Sequence, residues 1–357
     1  MESRVLGRTG REVSVIGQGC WQLGADWGDV EEKDALGVLR AAAAGGVTFF
    51  DTADVYGDGR SEQLVGRFVR EVAGEGAGAD EGDRAGEGDQ PGAGSSVMVA
   101  TKMGRRADPH EASAYTVANF AAWNDRSRRN LGTERLDLVQ LHCPPSEVYR
   151  DDAVFDALDD MVAQGRMAAY GVSVETVDEA LAAIARPNVA SVQIIINVFR
   201  RKPLEEVLPA AAEAGVGIIA RVPLASGLLS GKYTESTTFA ASDHRNYNRR
   251  GEAFDVGETF AGVPFDVGLA AAREFSGIVG ELKSSYSDFE TATPAQVALR
   301  WIVDQQGVST VIPGARSAQQ AQANAAAGEL PRLPAGVDEE LASLYAKHVK
   351  SHVHDRW

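Results

Sequence analysis

The feature that most constrains this chain is an alternation. Short apolar runs recur along it, each followed by a stretch with helical spacing. The runs end at Cys20-Trp21, Asp51, Lys102, His142, Ser173, Gln193 to Asn197, Arg221 and Gly314 to Arg316. Runs that stay apolar without a polar every second residue suit strands buried on both faces. Strands that alternate with helices build parallel βαβ units. Eight such units in one domain favour an α/β fold of the closed (β/α)8 TIM-barrel type over an open doubly wound sheet. Val5-Leu6 and Val13 to Ile16 flank a turn-rich bend, Gly7 to Gly10, and predict an N-terminal β-hairpin before the barrel. In such barrels the chemistry sits at the carboxyl ends of the strands.

Two stretches interrupt the alternation. Residues 71–96 hold eight glycines and seven acidic residues. A segment of that composition cannot bury enough apolar surface to offset its ordering entropy, so it is expected to be a disordered insert. It follows the second helix, which predicts a position opposite the active face and no catalytic part. Residues 227–265 form a long polar excursion, and loops of that length in compact domains are usually functional or mobile. Tyr247, Asn248 and Arg249 on it are expected to be solvated.

The remaining composition excludes several classes. The chain of 357 residues carries 35 basic and 51 acidic residues, a net of -16, which argues against nucleic acid or an anionic membrane as a partner. Cys20 and Cys143 are its only cysteines, a usage that fits a reducing compartment. No apolar run reaches the roughly 20 residues of a membrane span, and Met1 to Arg4 opens no signal peptide. A cytoplasmic protein is expected. The His and Cys spacings show no ligand pattern, so no metal is expected.

The stretch Phe49 to Gly57 carries the first chemistry. Thr48, Phe49 and Phe50 favour a strand, Asp51 stands where it leaves the core, and Tyr56 follows on a loop that Gly57 and Gly59 allow to turn tightly. Asp51, Lys102 and His142 end three successive strands, so they converge on one side of the barrel mouth. An ammonium beside the phenol lowers the phenol's pKa from about 10. Asp51 would hold Lys102 charged, His142 would donate a hydrogen bond to a carbonyl oxygen, and Tyr56 would supply the proton. No side chain here can supply hydride, so a cofactor is implied.

These residues carry a family resemblance. Phe50 to Gly57, followed by Glu62 to Gly66, resembles the signature of the aldo-keto reductases. Ala100 to Lys102, Gln140 to His142, Gly171 to Ser173, Val192-Gln193, Pro223 to Leu229 and Ile312 to Arg316 match further family segments in order. The resemblance implies an NADP-dependent barrel oxidoreductase, NAD being the second choice, acting on a small carbonyl, alcohol or sugar substrate. It implies Tyr56 as general acid, supported by Asp51, Lys102 and His142. Ser173 and Gln193 would hold the nicotinamide amide; Gly314, Arg316, Gln320 and Asn324 would hold the adenosine end. Trp21, Asp51, Arg221, Pro223, Leu224 and Gly227 complete the expected cofactor cleft. Arg316 favours NADP, because a guanidinium forks onto a 2′-phosphate.

Several residues admit a plainer role. Gln320 serves either the cofactor or a capping box with Ser317, and Trp21 either core packing or a substrate wall. Two positions depart from the family pattern: Val174 stands where many relatives carry Asn, and Arg221 where many carry a Tyr stacked on nicotinamide. Two other functions fit the same residues, a non-catalytic nicotinamide-nucleotide-binding subunit and an NAD-dependent sugar dehydrogenase. The intact set of Asp51, Tyr56, Lys102 and His142 counts against the first.

Overall fold

The period-2 alternation of strand side chains decides which residues meet inside this molecule. The computed structural model describes residues 1–24, 27, 30–77 and 97–357. Its strands are β1 (Ser3–Val5), β2 (Glu12–Ser14), β3 (Gln18–Gly19), β4 (Phe49–Asp51), β5 (Met98–Met103), β6 (Leu136–His142), β7 (Met167–Ser173), β8 (Ser191–Ile195), β9 (Gly217–Arg221) and β10 (Val308–Val311). The strands β3 to β10 pair in chain order and in parallel. Backbone bridges from Ile16 to Val311 and from Gly19 to Gly314 bring the two ends of the sheet together. The result is the expected barrel.

Helices lie between the strands and after the last of them: α1 (Trp21–Gly24), α2 (Glu32–Ala44), α3 (Arg60–Ala77), α4 (Val117–Leu131), α5 (Asp152–Ala163), α6 (Val177–Ile184), α7 (Val207–Ala214), α8 (His244–Tyr247), α9 (Phe265–Ser285), α10 (Pro294–Asp304) and, beyond β10, α11 (Ala318–Ala326). α12 (Val337–Leu344) and α13 (Lys350–Val353), joined through Tyr345–Val349, end the chain. Local chemistry sets several ends. Thr116 caps α4, and Gly132 stops it in the left-handed conformation. Thr293 and Gln296 close a reciprocal capping box ahead of Pro294 at the start of α10. Among the described residues no helix is long and apolar enough to cross a membrane.

β1 and β2 form the antiparallel hairpin. Gly7 at its turn has φ +47°, and a Cβ there would meet the Gly217 nitrogen at 2.0 Å. That approach plugs the amino end of the barrel. Leu6 and Val13 of the hairpin pack there with Phe49, Met98, Ala100, Leu138 and Ile219, all buried. The outward residues of the same strands face helices instead; Phe50 packs on Phe68 of α3 with ring centroids 5.0 Å apart. Each large apolar side chain buried this way contributes about 1.5–3 kcal/mol.

The same parity runs on to the mouth. Phe49 points inward and so does Asp51; Met98 and Ala100 do and so does Lys102; Leu138 does and so do Gln140 and His142. The register sets Lys102 beside Gln140, His142 beside Ser173, and Ser173 beside Gln193.

The acidic stretch differs from expectation at its start. α3 continues through residues 71–77, because Glu71 pairs with Arg40 of α2 at 2.7 Å and with Arg67, one turn back, at 3.2 Å, and Val72 packs on the core. The rest of the expected disordered insert, residues 78–96, lies outside the described residues. Val97, the next described residue, precedes β5 and so lies at the end of that strand away from Lys102.

The 227–265 excursion is not a solvated loop throughout. Asn248 is fully buried, its Oδ1 accepting from the Ala253 and Phe254 amides and its Nδ2 donating to Thr259. One side chain thus ties the end of α8 to residues 253–259 of the same loop.

Candidate active site

The mouth holds a cavity of about 400 Å³. Trp21, Asp51, Tyr56, His142, Ser173, Gln193, Arg221, Pro223, Leu224, Gly227, Gly314, Arg316, Gln320 and Asn324, all expected in the site, line it. Lys102 does not line it. It sits behind Tyr56, 1% exposed, with its ammonium donating to Asp51, to the Thr52 carbonyl at 2.9 Å and to the Tyr56 hydroxyl at 3.4 Å.

Asp51 is the hub of this floor. One carboxylate oxygen takes the Lys102 ammonium; the other accepts from Gln193 at 2.8 Å and Gln140 at 3.0 Å. The Gln193 amide NH2 is therefore turned to Asp51 and to Gln140, 3.1 Å away. Gln140 is a site residue that sequence reasoning missed; its signal was its place two residues before His142, on the same inward face.

Tyr56 is held by its loop. Gly57 has φ +60°, and a Cβ there would meet the Gly24 carbonyl at 2.5 Å, so only glycine lets the loop close on α1. That closure stacks the Trp21 ring on Tyr56, centroids 6.0 Å apart and 20° from parallel. Trp21 is a cavity wall. His142 meets the phenol edge-on at 5.8 Å.

The electrostatics depart from expectation. Burial pushes the Tyr56 phenol up, Lys102 pulls it back, and Asp51 and Glu258 push it up again, leaving it at about 12. The expected acidified phenol is not found: the Lys102 ammonium is shared with Asp51 and Thr52, and dehydration wins. Burial pulls the Lys102 ammonium down, but Asp51 and Tyr56 more than offset that and hold it charged. Burial, with Arg105, Lys102 and Arg221 nearby, keeps His142 neutral, its pKa well below the ordinary value. The Arg105 Nη1 stands 3.4 Å from His142 Nε2. A guanidinium can only donate, so Nε2 accepts in this arrangement, where donation to a substrate was expected.

Sequence reasoning also missed an ion-pair chain across the mouth. Arg105 pairs with Glu258 of the long loop at 2.9 Å, Glu258 lies 3.8 Å from Arg221, and Arg221 pairs with Glu175 at 2.8 Å. Arg221 is thus flanked by two carboxylates. Cys143, Glu175 and Glu258 gather a thiol and two carboxylates within 4.8 Å, but guanidiniums already partner both acids. The backbone is strained here: Cys143 follows β6 at φ 47° and Val222 follows β9 at φ 51°, a rare conformation for a β-branched residue.

At the other end, Asn324 donates to the Gly314 carbonyl at 3.1 Å, and Gln320 Oε1 accepts from the Arg316 amide at 2.8 Å. Ser317 caps α11 by accepting from the Gln320 amide. The reciprocal capping box does not form, because the Gln320 side chain serves Arg316 instead. The Arg316 side chain is exposed at the rim, and Lys232 and Arg245 also line the cleft. One cavity takes in both Ser173 and the residues of α11, Gln320, Ala323 and Asn324.

A model of the aldo/keto reductase family matches residues 15–346. The chain belongs to the aldo/keto reductase family. It is 30% identical over 327 residues to the aldo-keto reductase YhdN of Bacillus subtilis, covering 90% of this chain and 87% of that one. Among solved structures it is similar to the glycerol dehydrogenase AKR11B4 of Gluconobacter oxydans, with a TM-score of 0.70 and 24% identity over 97% of this chain and 95% of that one. It is also similar to an aldo/keto reductase of Klebsiella pneumoniae in complex with NADP and acetate, with a TM-score of 0.66 and 21% identity over 98% and 96%. As an aldo/keto reductase the chain is an oxidoreductase of the nicotinamide-dependent kind.

Proposed function

We propose that this aldo/keto reductase reduces the carbonyl of a small aldehyde, ketone or sugar, prefers NADP, and uses Tyr56 as the proton donor. The observation that carries the reading is Lys102. A buried ammonium is expensive to maintain, and this one is kept charged by Asp51 with the Tyr56 hydroxyl within 3.4 Å. It interacts most strongly with the phenol after the proton has left, which is when stabilisation speeds the step.

When bound, a reduced nicotinamide supplies the hydride. The carbonyl oxygen, as it gains charge, takes the Tyr56 proton. A phenol at about 12 is fully loaded at neutral pH, which suits reduction. Arg105 presents N–H groups beside the same oxygen, with His142 Nε2 accepting from it. Trp21 walls the substrate side.

Ser173 and Gln193 lie at the end of the cleft suited to the carboxamide. Gly314, Arg316, Gln320, Asn324 and the first turn of α11 lie at the end suited to the adenosine phosphates. Arg316 suits a 2′-phosphate, and the NADP named for the Klebsiella pneumoniae relative supports the same choice. The test is turnover with NADPH and with NADH on a panel of aldehydes, ketones and aldoses. The reading expects kcat/KM to favour NADPH by about tenfold or more. No turnover with either cofactor would contradict it.

A further inference from the structure

Glu258 reaches the mouth from a loop far along the chain and ends between two arginines. Its Oε1 lies 2.9 Å from Arg105 and 3.8 Å from Arg221. Two fixed cations therefore share one carboxylate oxygen. Arg221 has donors to spare: it is 7% exposed and lines the cavity, and among the described residues its buried Nε has no hydrogen-bond partner. A buried N–H without an acceptor is costly unless a ligand supplies one. Arg105 also reaches within 3.4 Å of His142 Nε2. A group gripped by Arg105 would therefore sit a few bonds from a carbonyl held at Tyr56 and His142.

We propose that the substrate carries a carboxylate near its carbonyl, and that Arg105 and Arg221 receive it in the place Glu258 now fills. The inference rests on the oxidoreductase reading of the same site and names the substrate class. Guanidinium and carboxylate match in a forked, charge-assisted pair, which a single shared oxygen of Glu258 does not complete. The incoming acid would draw Arg105 off His142 Nε2 and let the ring proton move there from Nδ1, which has no hydrogen-bond partner among the described residues, so that Nε2 donates to the carbonyl oxygen. Glu258 then acts as an internal stand-in that keeps the guanidiniums neutralised until the acid arrives. The reaction balances as an ordinary reduction: hydride from the reduced nicotinamide to the carbonyl carbon, the Tyr56 proton to the oxygen, the carboxylate unchanged.

The test compares 4-oxobutanoate with its methyl ester, and pyruvate with methyl pyruvate, using the full chain and NADPH. The acid of one pair at least should exceed its ester in kcat/KM by about ten- to hundredfold, the yield of one charge-assisted pair. Arg105→Gln should bring that ratio close to one, chiefly through KM. The second arm needs no turnover: calorimetric binding of succinate. Glu258→Gln removes the competing carboxylate and should tighten succinate by about tenfold, a gain that damage to the loop would not give. Esters reduced as well as acids, or succinate weakened by Glu258→Gln, would overturn the inference and leave the oxidoreductase reading intact. If neither acid nor ester is reduced with NADPH or NADH, the oxidoreductase reading falls and takes the inference with it.

Discussion

The Lys102 ammonium lies 3.4 Å from the Tyr56 hydroxyl, yet the phenol holds its proton to about 12. Proximity to a cation does not make this tyrosine acidic, because burial opposes ionisation more than Lys102 promotes it. Lys102 matters in the transfer itself, when a phenolate begins to form.

A pH dependence follows. Below about 12 the phenol is protonated, so reduction should hold its rate across neutral and mildly alkaline pH and fall only toward that value. Oxidation of an alcohol needs the phenolate and should climb with pH over the same range. Measuring kcat in both directions from pH 6 to 10 checks this; a reduction rate that halves near pH 7 would contradict it.

Lys102→Met leaves Asp51 buried with no ammonium. Breaking a buried pair this way costs about 3–5 kcal/mol, so chemical denaturation should show a loss of that size, with turnover abolished. Adding Asp51→Asn removes the stranded charge and should recover much of the stability and none of the activity. Equal losses in the single and double variants would show that the pair is not coupled.

Much of this floor was legible in the sequence. Asp51, Lys102 and His142 end successive strands, and period-2 alternation turns them inward with Phe49, Ala100 and Leu138. Gln140 follows the same rule and was readable by it. The hairpin was legible because Gly7 to Gly10 separates two short apolar arms. Glu258 was not legible, since its position depends on a loop path fixed by Asn248 through backbone contacts that no spacing encodes. Arg105 lies three residues beyond Lys102, past the strand, where periodicity no longer says which way a side chain turns. The phenol's direction was misjudged because its dehydration depends on how Trp21 and the loop pack around it. Glu71 extends α3 through cross-helix partners that local composition does not reveal.

Arg316 lies at the exposed rim of the cleft beside α11, with its backbone amide tied to Gln320. Arg316→Ala should weaken NADPH by about tenfold and NADH by far less, because only the former has a 2′-phosphate for the guanidinium. Fluorescence titration of both cofactors reads the difference. Equal weakening would assign Arg316 to the shared part of the dinucleotide and remove the ground for an NADP preference.

The proton donor is the central claim, and Tyr56→Phe tests it most directly. The substitution keeps the ring that Trp21 stacks on and deletes only the hydroxyl. Single-turnover reduction of the best aldehyde should slow by about a thousandfold or more, within the range of general acid catalysis, while the NADPH dissociation constant stays within about twofold. A Tyr56→Phe variant that retained most of its reduction rate would contradict the account.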